Sequence, residues 1–494
     1  VQNGMSPMIG HGKLKLKQEQ PIMGQQFGVI GLAVMGENIV LNLERNGFPV
    51  AVFNRTGAKT KAFIEGRGAG KAIVAAYTLQ EFVQALERPR KILIMVQAGA
   101  AVDAVIQDIL PLLEKGDILI DGGNSYYKDT DRRAQMLENS PVLFIGTGIS
   151  GGEEGALWGP SIMPGGKREA YDALEPILKK ISAQTDSGPC VEYIGAKSAG
   201  HFVKMCHNGI EYGDMQLIAE SYDILRNGLH LSPSEIAEIF EKWNEGELQS
   251  FLIEITARIV NFPDDQGSGD VLIDRILDSA GQKGTGKWTS ATALDLGVPI
   301  PTITASVDAR FLSAMKDERV QAATFYPEPQ APSLPNRDML IENVRAALYA
   351  SKICSYAQGF ALMRAASREF DYGLHYGDLA KIWKGGCIIR AIFLDRIREA
   401  FAQQPDLSNL LMAPSFREDI LCRIDAWRWT IAFAATHGLA IPSMSASLAY
   451  FDSYRRERLP ANLIQGQRDY FGAHTYRRTD KEGVFHTETW FAKE

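Results

Sequence analysis

The order of apolar runs in the first 150 residues leaves this chain few folds. Short runs stand at 27–30, 50–53, 92–96 and 118–120, with a fifth at 142–145. All are rich in Val, Ile and Phe and none alternates with polar residues, as expected of strands covered on both faces. Helix-like stretches separate them. Repeated strand–helix order predicts a parallel, doubly wound sheet. Each run passes into a loop bearing Gly or Asn: Gly31-Leu32-Ala33, Asn54-Arg55-Thr56, Gln97-Ala98-Gly99, Gly122-Gly123-Asn124 and Gly146-Thr147-Gly148. Ligands of such sheets bind outside the carboxyl ends of the strands, so these loops share one functional edge.

The first loop is the most specific. Gly31-Leu32-Ala33-Val34-Met35-Gly36 is a dinucleotide fingerprint with Ala at the second glycine position, set after a strand and opening a helix at 35–46 that Gly47 stops. The first glycine allows the tight turn, the small second residue admits pyrophosphate, and the third lets the helix pack closely. The free N–H groups of the helix start suit an anion. Glycine turns between strand and helix often bind nothing, but this context favours a cofactor. A NAD enzyme usually ends its second strand on Asp or Glu; here Asn54-Arg55-Thr56 stands instead. A guanidinium pairs with a 2′-phosphate that an acid would repel, so the position indicates NADP. Val96, Gln97, Ala98 and Asn124 are further cofactor-side candidates.

Beyond about residue 197 the pattern turns helical. A long helix is predicted over 199–226, stopped by Asn227-Gly228, and Ser232-Pro233-Ser234-Glu235 has capping-box spacing. Gly228-Leu229-His230 with Glu235-Ile236-Ala237-Glu238-Ile239-Phe240 is echoed by Gly373-Leu374-His375 with Asp378-Leu379-Ala380-Lys381-Ile382-Trp383, the second copy following a helix at 339–370. We read this as a duplicated helical module, against coincidence between two helix-turn-helix corners. The first long helix holds the densest polar cluster. Lys204, His207, Asn208 and Glu211 stand at i, i+3, i+4 and i+7, which stacks them on one face. On a random helix, Lys and Glu at this spacing are a solvated ion pair of little energetic value. Here His and Asn lie between them, apolar residues flank them, and Gly209 and Gly213 interrupt the helix at a cost that close approach by another backbone or a ligand would explain. A lysine base and a glutamate acid both need partial desolvation, so the face is read as catalytic.

Composition bounds the rest. The 494 residues suggest two or three domains. A net charge of −7 gives nucleic-acid binding no support, so an anionic substrate needs a local basic pocket. Five scattered cysteines (190, 206, 354, 387, 422) form no C-x-x-C, which argues against a disulfide framework or zinc site and favours a reducing, cytoplasmic setting. No apolar run approaches the length of a membrane span. Residues 1–25 read as a polar tail, with Met23 a candidate start.

Several segments together resemble the 6-phosphogluconate dehydrogenase family: the fingerprint, the polar helix, Asp121-Gly122-Gly123-Asn124-Ser125, Ser150-Gly151-Gly152-Glu153 and Met163-Pro164-Gly165-Gly166. The likeness continues through Asp278-Ser279-Ala280-Gly281-Gln282-Lys283-Gly284-Thr285-Gly286-Lys287-Trp288-Thr289, Leu459-Pro460-Ala461-Asn462-Leu463-Ile464-Gln465 and Arg468-Asp469-Tyr470-Phe471-Gly472-Ala473-His474, in unbroken order from about 28 to 474. The resemblance implies Lys204 as the base and Glu211 as the acid of an oxidative decarboxylation with NADP and no metal. It implies that Asn124, Ser150, Gly151, Gly152, His207 and Asn208 hold the sugar acid. Tyr212, Lys283, Thr285, Arg310 and Arg468 would grip the phosphate, with His474 nearby. It also implies a homodimer in which the tail completes the partner's site. Gln97 stands where many relatives carry lysine, which leaves one cofactor contact in doubt.

The expected fold class is α/β plus all-α. A Rossmann-type sheet domain at 26–198 follows the tail at 1–25, a duplicated helical domain covers 199–455, and an extended C-terminal tail covers 456–494. Two rivals remain at this point. A hydroxyisobutyrate-type dehydrogenase shares the fingerprint and a Ser-Gly-Gly loop but is much shorter. A catalytically silent NADPH-binding protein would have no need of both Lys204 and Glu211.

Overall fold

The computed structural model describes residues 24–327, 329 and 336–491. Most of the polar tail expected at 1–25 lies outside the described residues, as do the last three residues of the C-terminal tail. The chain forms two compact units, one of residues up to His201 together with Gly385–Cys387, the other of Phe202–Lys384 and the residues from Ile388 onward.

The first unit is built on seven strands: β1 (Phe27–Ile30), β2 (Val50–Phe53), β3 (Ile73–Ala76), β4 (Lys91–Ile94), β5 (Ile118–Asp121), β6 (Leu143–Ile149) and β7 (Ile162–Gly166). Their order is β3-β2-β1-β4-β5-β6-β7. Phe27 stands opposite Val50 and Gly28 opposite Ile92 in parallel register. Both faces are covered, which is why the runs do not alternate. Val29, Val50, Val52 and Ile120 pack with Ile39, Val40 and Leu43 of the helix Val34–Arg45. On the other face Ile30, Ala51, Ile92 and Ile94 pack with Phe82, Val102 and Ile106.

Two strands were not anticipated. β3 is half-buried for most of its length and so carries no bulky run. β7 pairs antiparallel with β6, so the sheet is parallel through six strands and mixed at one edge. Its Pro164 has no N–H to donate, which an edge strand tolerates.

The second unit is helical. The helix Ala199–Asp223 passes into a wide turn at Ile224–Gly228, three residues before the predicted helix end at 226. Ser232 and Glu235 cap the next helix, Pro233–Asn244, reciprocally, and it packs on Phe251–Val260. The second long helix, Arg337–Glu369, is followed by Gly373 at φ 68° and the helix Tyr376–Ile382, which packs on Phe393–Gln403. The same succession thus occurs twice. Among the described residues no helix is long and apolar enough to cross a membrane. The tail differs from the extended segment expected: it opens on a helix, Ala461–Gly472. Most of its residues are exposed, so the apolar periodicity that marks a packed helix is missing there.

Candidate active site

In the first unit the fingerprint makes the predicted turn. Gly31 has φ 105°, and a Cβ on it would collide with the carbonyl of Met95; one on Gly36 would collide with the carbonyl of Gly31. The helix Val34–Arg45 starts from Ala33 with no side-chain cap, so its first N–H groups stay available to an anion. Asn54 Oδ1 accepts from the N–H of Leu32 at 3.1 Å, tying the second loop to the first. Arg55 and Thr56 beside it are exposed, as are Gln97 and Asn124, while Val34 lies open at the helix start and Val96 and Ala98 are half-buried. These residues fit a dinucleotide.

Sequence reasoning missed what holds this edge together. Arg133 is fully buried and donates to Asp121 at 3.1 Å, to Asp103 at 2.7 Å and to the carbonyl of Gly99 at 2.9 Å. Asp121 also accepts from Ser125 Oγ and the N–H of Gly123. One guanidinium therefore fixes the loops that follow β4 and β5. An arginine inside a helical pattern carries no sequence signal of that role.

The Ser150-Gly151-Gly152 loop is equally constrained. Ser150 is buried, and Gly151 and Gly152 have φ of 116° and 61°. A Cβ on Gly151 would lie 2.6 Å from the carbonyl oxygen of Gly386, which accepts from the N–H of Ser161 at 2.7 Å. The short return of Gly385–Cys387 supports this loop; the Gly385-Gly386 pair was its only visible trace.

In the second unit, the polar face of Ala199–Asp223 assembles as its spacing predicts. Lys204 and His207 are buried, with Lys204 Nζ 3.5 Å from His207 Nδ1. The same nitrogen lies 3.1 Å from Asn208 Oδ1 and 3.8 Å from Glu211 Oε2. Burial, with the nearby Lys204 charge, pushes the His207 pKa well below its usual value, so the ring is neutral at pH 7. Burial raises Glu211, against the pull of Lys204 and Arg310. A carboxyl of raised pKa and an amine thus share one partly desolvated face. Trp383 packs against the His207 ring at 5.5 Å.

Gly209 and Gly213 are close-packing sites, but what approaches them is neighbouring side chains, not the backbone or ligand expected. A Cβ on Gly209 would lie 2.6 Å from Thr289 Cγ2, and one on Gly213 would overlap Ser355 Oγ. Reciprocally, Gly286 and Gly359 accept Tyr212 and Ile210. The helix is therefore seated by side chains of its neighbours, Thr285–Asp295 and Arg337–Glu369.

Arg310 lies 3.6 Å over the Tyr212 ring and donates to the carbonyl of Gly281. This brings Tyr212, Arg310 and the loop bearing Lys283 together. Lys283 is exposed, and Thr285 is buried just after Gly284, whose φ of 94° turns the chain into its helix. Asp278, bonded by Lys316 and Arg319, anchors the loop's start. Arg468 and His474 are exposed: Arg468 donates to Gln465, and His474 packs on Phe471, both within the tail.

Comparison with known proteins decides the family. The family model for the NAD binding domain of 6-phosphogluconate dehydrogenase matches residues 26–195, and that for the 6-phosphogluconate dehydrogenase C-terminal domain matches 200–490. The chain belongs to the 6-phosphogluconate dehydrogenase family. It is 60% identical over 465 residues to the NADP(+)-dependent, decarboxylating 6-phosphogluconate dehydrogenase of Bacillus subtilis, covering 94% of this chain and 99% of the relative. It is 59% identical over 469 residues to the decarboxylating enzyme of Synechococcus elongatus, again over 94% and 99%. The 6-phosphogluconate dehydrogenase of Plasmodium falciparum, solved in apo form and with NADP+ and 6-phosphogluconate, is 45% identical with a TM-score of 0.91, over 94% of this chain and all of that one. A match reaching residue 490 sets aside the shorter hydroxyisobutyrate-type reading.

Proposed function

We propose that this chain catalyses the oxidative decarboxylation of 6-phosphogluconate to ribulose 5-phosphate and CO2, with reduction of NADP+ to NADPH. Bound NADP+ supplies the hydride acceptor. Gly31–Gly36, Asn54, Arg55, Thr56, Val96, Gln97, Ala98 and Asn124 hold it. Lys204, as the neutral amine, removes the proton of the substrate's 3-hydroxyl as hydride leaves C3. The 3-keto acid then loses CO2 while Lys204 returns a proton to the carbonyl oxygen, giving an enediol. Glu211, whose pKa burial raises, delivers a proton to C1 while the enediol hydroxyl returns its proton to Lys204, giving ribulose 5-phosphate. Asn124, Ser150, Gly151, Gly152, His207 and Asn208 bind the sugar acid. Tyr212, Lys283, Thr285 and Arg310 bind the phosphate, joined by Arg468 and His474 from the tail of a second subunit in a homodimer. Five cysteines scattered without a C-x-x-C support a cytoplasmic setting.

The observation that carries this reading is one helix face holding buried Lys204 and His207 and half-buried Asn208 and Glu211 within 4 Å steps. NADPH formation with 6-phosphogluconate, followed by near-ultraviolet absorbance, tests it. Lys204→Ala should lower turnover at least 10²–10⁴-fold, roughly the worth of an acid–base group, and Glu211→Ala should mainly slow protonation at C1. Near-normal turnover in Lys204→Ala would remove Lys204 from the chemistry.

A further inference from the structure

The tail carries one buried charge that the chemistry above does not use. Asp469 is wholly buried although its neighbours on the helix Ala461–Gly472 are largely exposed. Its Oδ1 accepts from the N–H of Thr475 at 3.0 Å and from His486 Nδ1 at 2.9 Å. Its Oδ2 accepts from the N–H of Thr487 at 3.1 Å and from Trp490 Nε1 at 2.8 Å. A carboxylate only accepts, so His486 carries its proton on Nδ1. Burial alone would raise the Asp469 pKa, but the bonds from Trp490, His486 and Thr487 outweigh it and hold the group below the usual carboxylate range.

The four donors come from two separate stretches and close a turn that Gln465 also holds, by donating to the Thr475 carbonyl. Ala473 and Thr475 have φ of 52° and 60°, left-handed values that cost energy for residues with a Cβ. His474 lies between them. Its N–H reaches the carbonyl of Arg468 at 3.5 Å, while the N–H of Ala473 bonds the carbonyl of Asp469 at 2.9 Å. Tyr476 and Phe485 exchange both backbone bonds at 2.8 Å, which returns the chain to Asp469. Tyr470 packs edge-on against Trp490 at 5.7 Å. Arg468, Asp469 and His474 therefore form one rigid unit whose centre is the carboxylate.

We propose that Asp469 is the positioning residue of the tail, folding residues 468–490 into a preformed unit that sets Arg468 and His474 for substrate phosphate. This rests on the reading that those two residues serve the phosphate site. A preformed unit loses less conformational freedom on binding than a loose segment does.

The test uses the full-length enzyme. Asp469→Asn keeps the size but turns one acceptor into a donor, so two of the four donors lose their partner. Amide hydrogen exchange at 473–490 should accelerate roughly tenfold or more, the scale of a lost bond to a charged group. KM for 6-phosphogluconate should rise by a similar factor, with KM for NADP+ and kcat nearly unchanged. Trp490→Phe, which removes one donor and keeps the ring, should give a smaller shift of the same kind and serves if Asp469→Asn does not fold. Unchanged tail exchange in both variants would overturn the proposal. So would faster exchange with an unchanged substrate KM where Arg468→Ala does raise it. If Arg468→Ala also leaves KM unchanged, the phosphate reading of the tail itself fails, and the positioning role with it.

Discussion

Gly209→Ala should damage an enzyme that helix propensity alone says it would improve. In an unconstrained helix alanine is better than glycine by about 0.8–1.0 kcal/mol. Here the new Cβ would lie 2.6 Å from Thr289 Cγ2 and 3.0 Å from its Oγ1. Carbon atoms in contact normally stand about 3.5–4.0 Å apart, so about 1 Å must be yielded. Thr289 is poorly able to yield it. It is β-branched and wholly buried, and its hydroxyl sits 3.0 Å from the Met205 carbonyl and 2.9 Å from that of Thr285. Overpacking of this kind costs about 1–3 kcal/mol, which leaves a net loss of about 0–2 kcal/mol. Activity should fall further than stability. Gly209 lies between Lys204 and Glu211, and a misplacement of about 1 Å is worth up to about 10²-fold in rate. Urea denaturation and initial rates measure both effects. Adding Thr289→Ser removes Cγ2, keeps the hydroxyl and should restore most of each loss. A Gly209→Ala enzyme that is more stable than its parent, with undiminished kcat/KM, would refute the close-packing argument.

Three further outcomes follow from the site and its supports. Arg55→Ala should raise KM for NADP+ far more than for NAD+; equal effects would take Arg55 away from the 2′-phosphate. Glu220 accepts from the N–H groups of Ser443 and Met444, and burial pushes its pKa up to about 7. The folded state then keeps a proton that the unfolded state releases near 4.5, so this group makes stability fall as pH rises from there to about 7. Glu220→Gln should flatten that slope in denaturation curves taken between about pH 5 and pH 8, and an unchanged slope would rule Glu220 out as its source. Mixing Arg468→Ala chains with Lys204→Ala chains should regenerate activity in verified heterodimers, because one hybrid site keeps both residues; none regained would mean that each site is built from a single chain.

The parts of this molecule that were legible share a cause. β1, β2 and β5 could be read because both sheet faces are covered, so burial writes a continuous apolar run. Lys204, His207, Asn208 and Glu211 could be read because helix periodicity alone puts them on one face. The capping box at Ser232 and Glu235 is local chemistry and was read to the residue. What stayed hidden depends on partners distant in sequence. Arg133 looks like any surface arginine until Asp121, Asp103 and Gly99 are placed around it. β3 is half-buried and β7 is written in Pro and Gly, so neither leaves a strand pattern. The helix Ala461–Gly472 escaped notice because an exposed helix needs no apolar stripe, and Asp469 because its four donors lie up to 21 residues away.

The return of Gly385–Cys387 to the first unit has a consequence for synthesis. The Ser161 N–H and the space beneath Gly151 are closed by the carbonyl of Gly386, which emerges from the ribosome about 220 residues after the last strand, Ile162–Gly166, ends the sheet. At roughly 5–20 residues per second that is a delay of about 10–40 s. Through that interval the nascent sheet domain carries an open seam beside its Ser-Gly-Gly loop. A fragment cut after His201 would keep that seam permanently, whatever the quality of its seven strands.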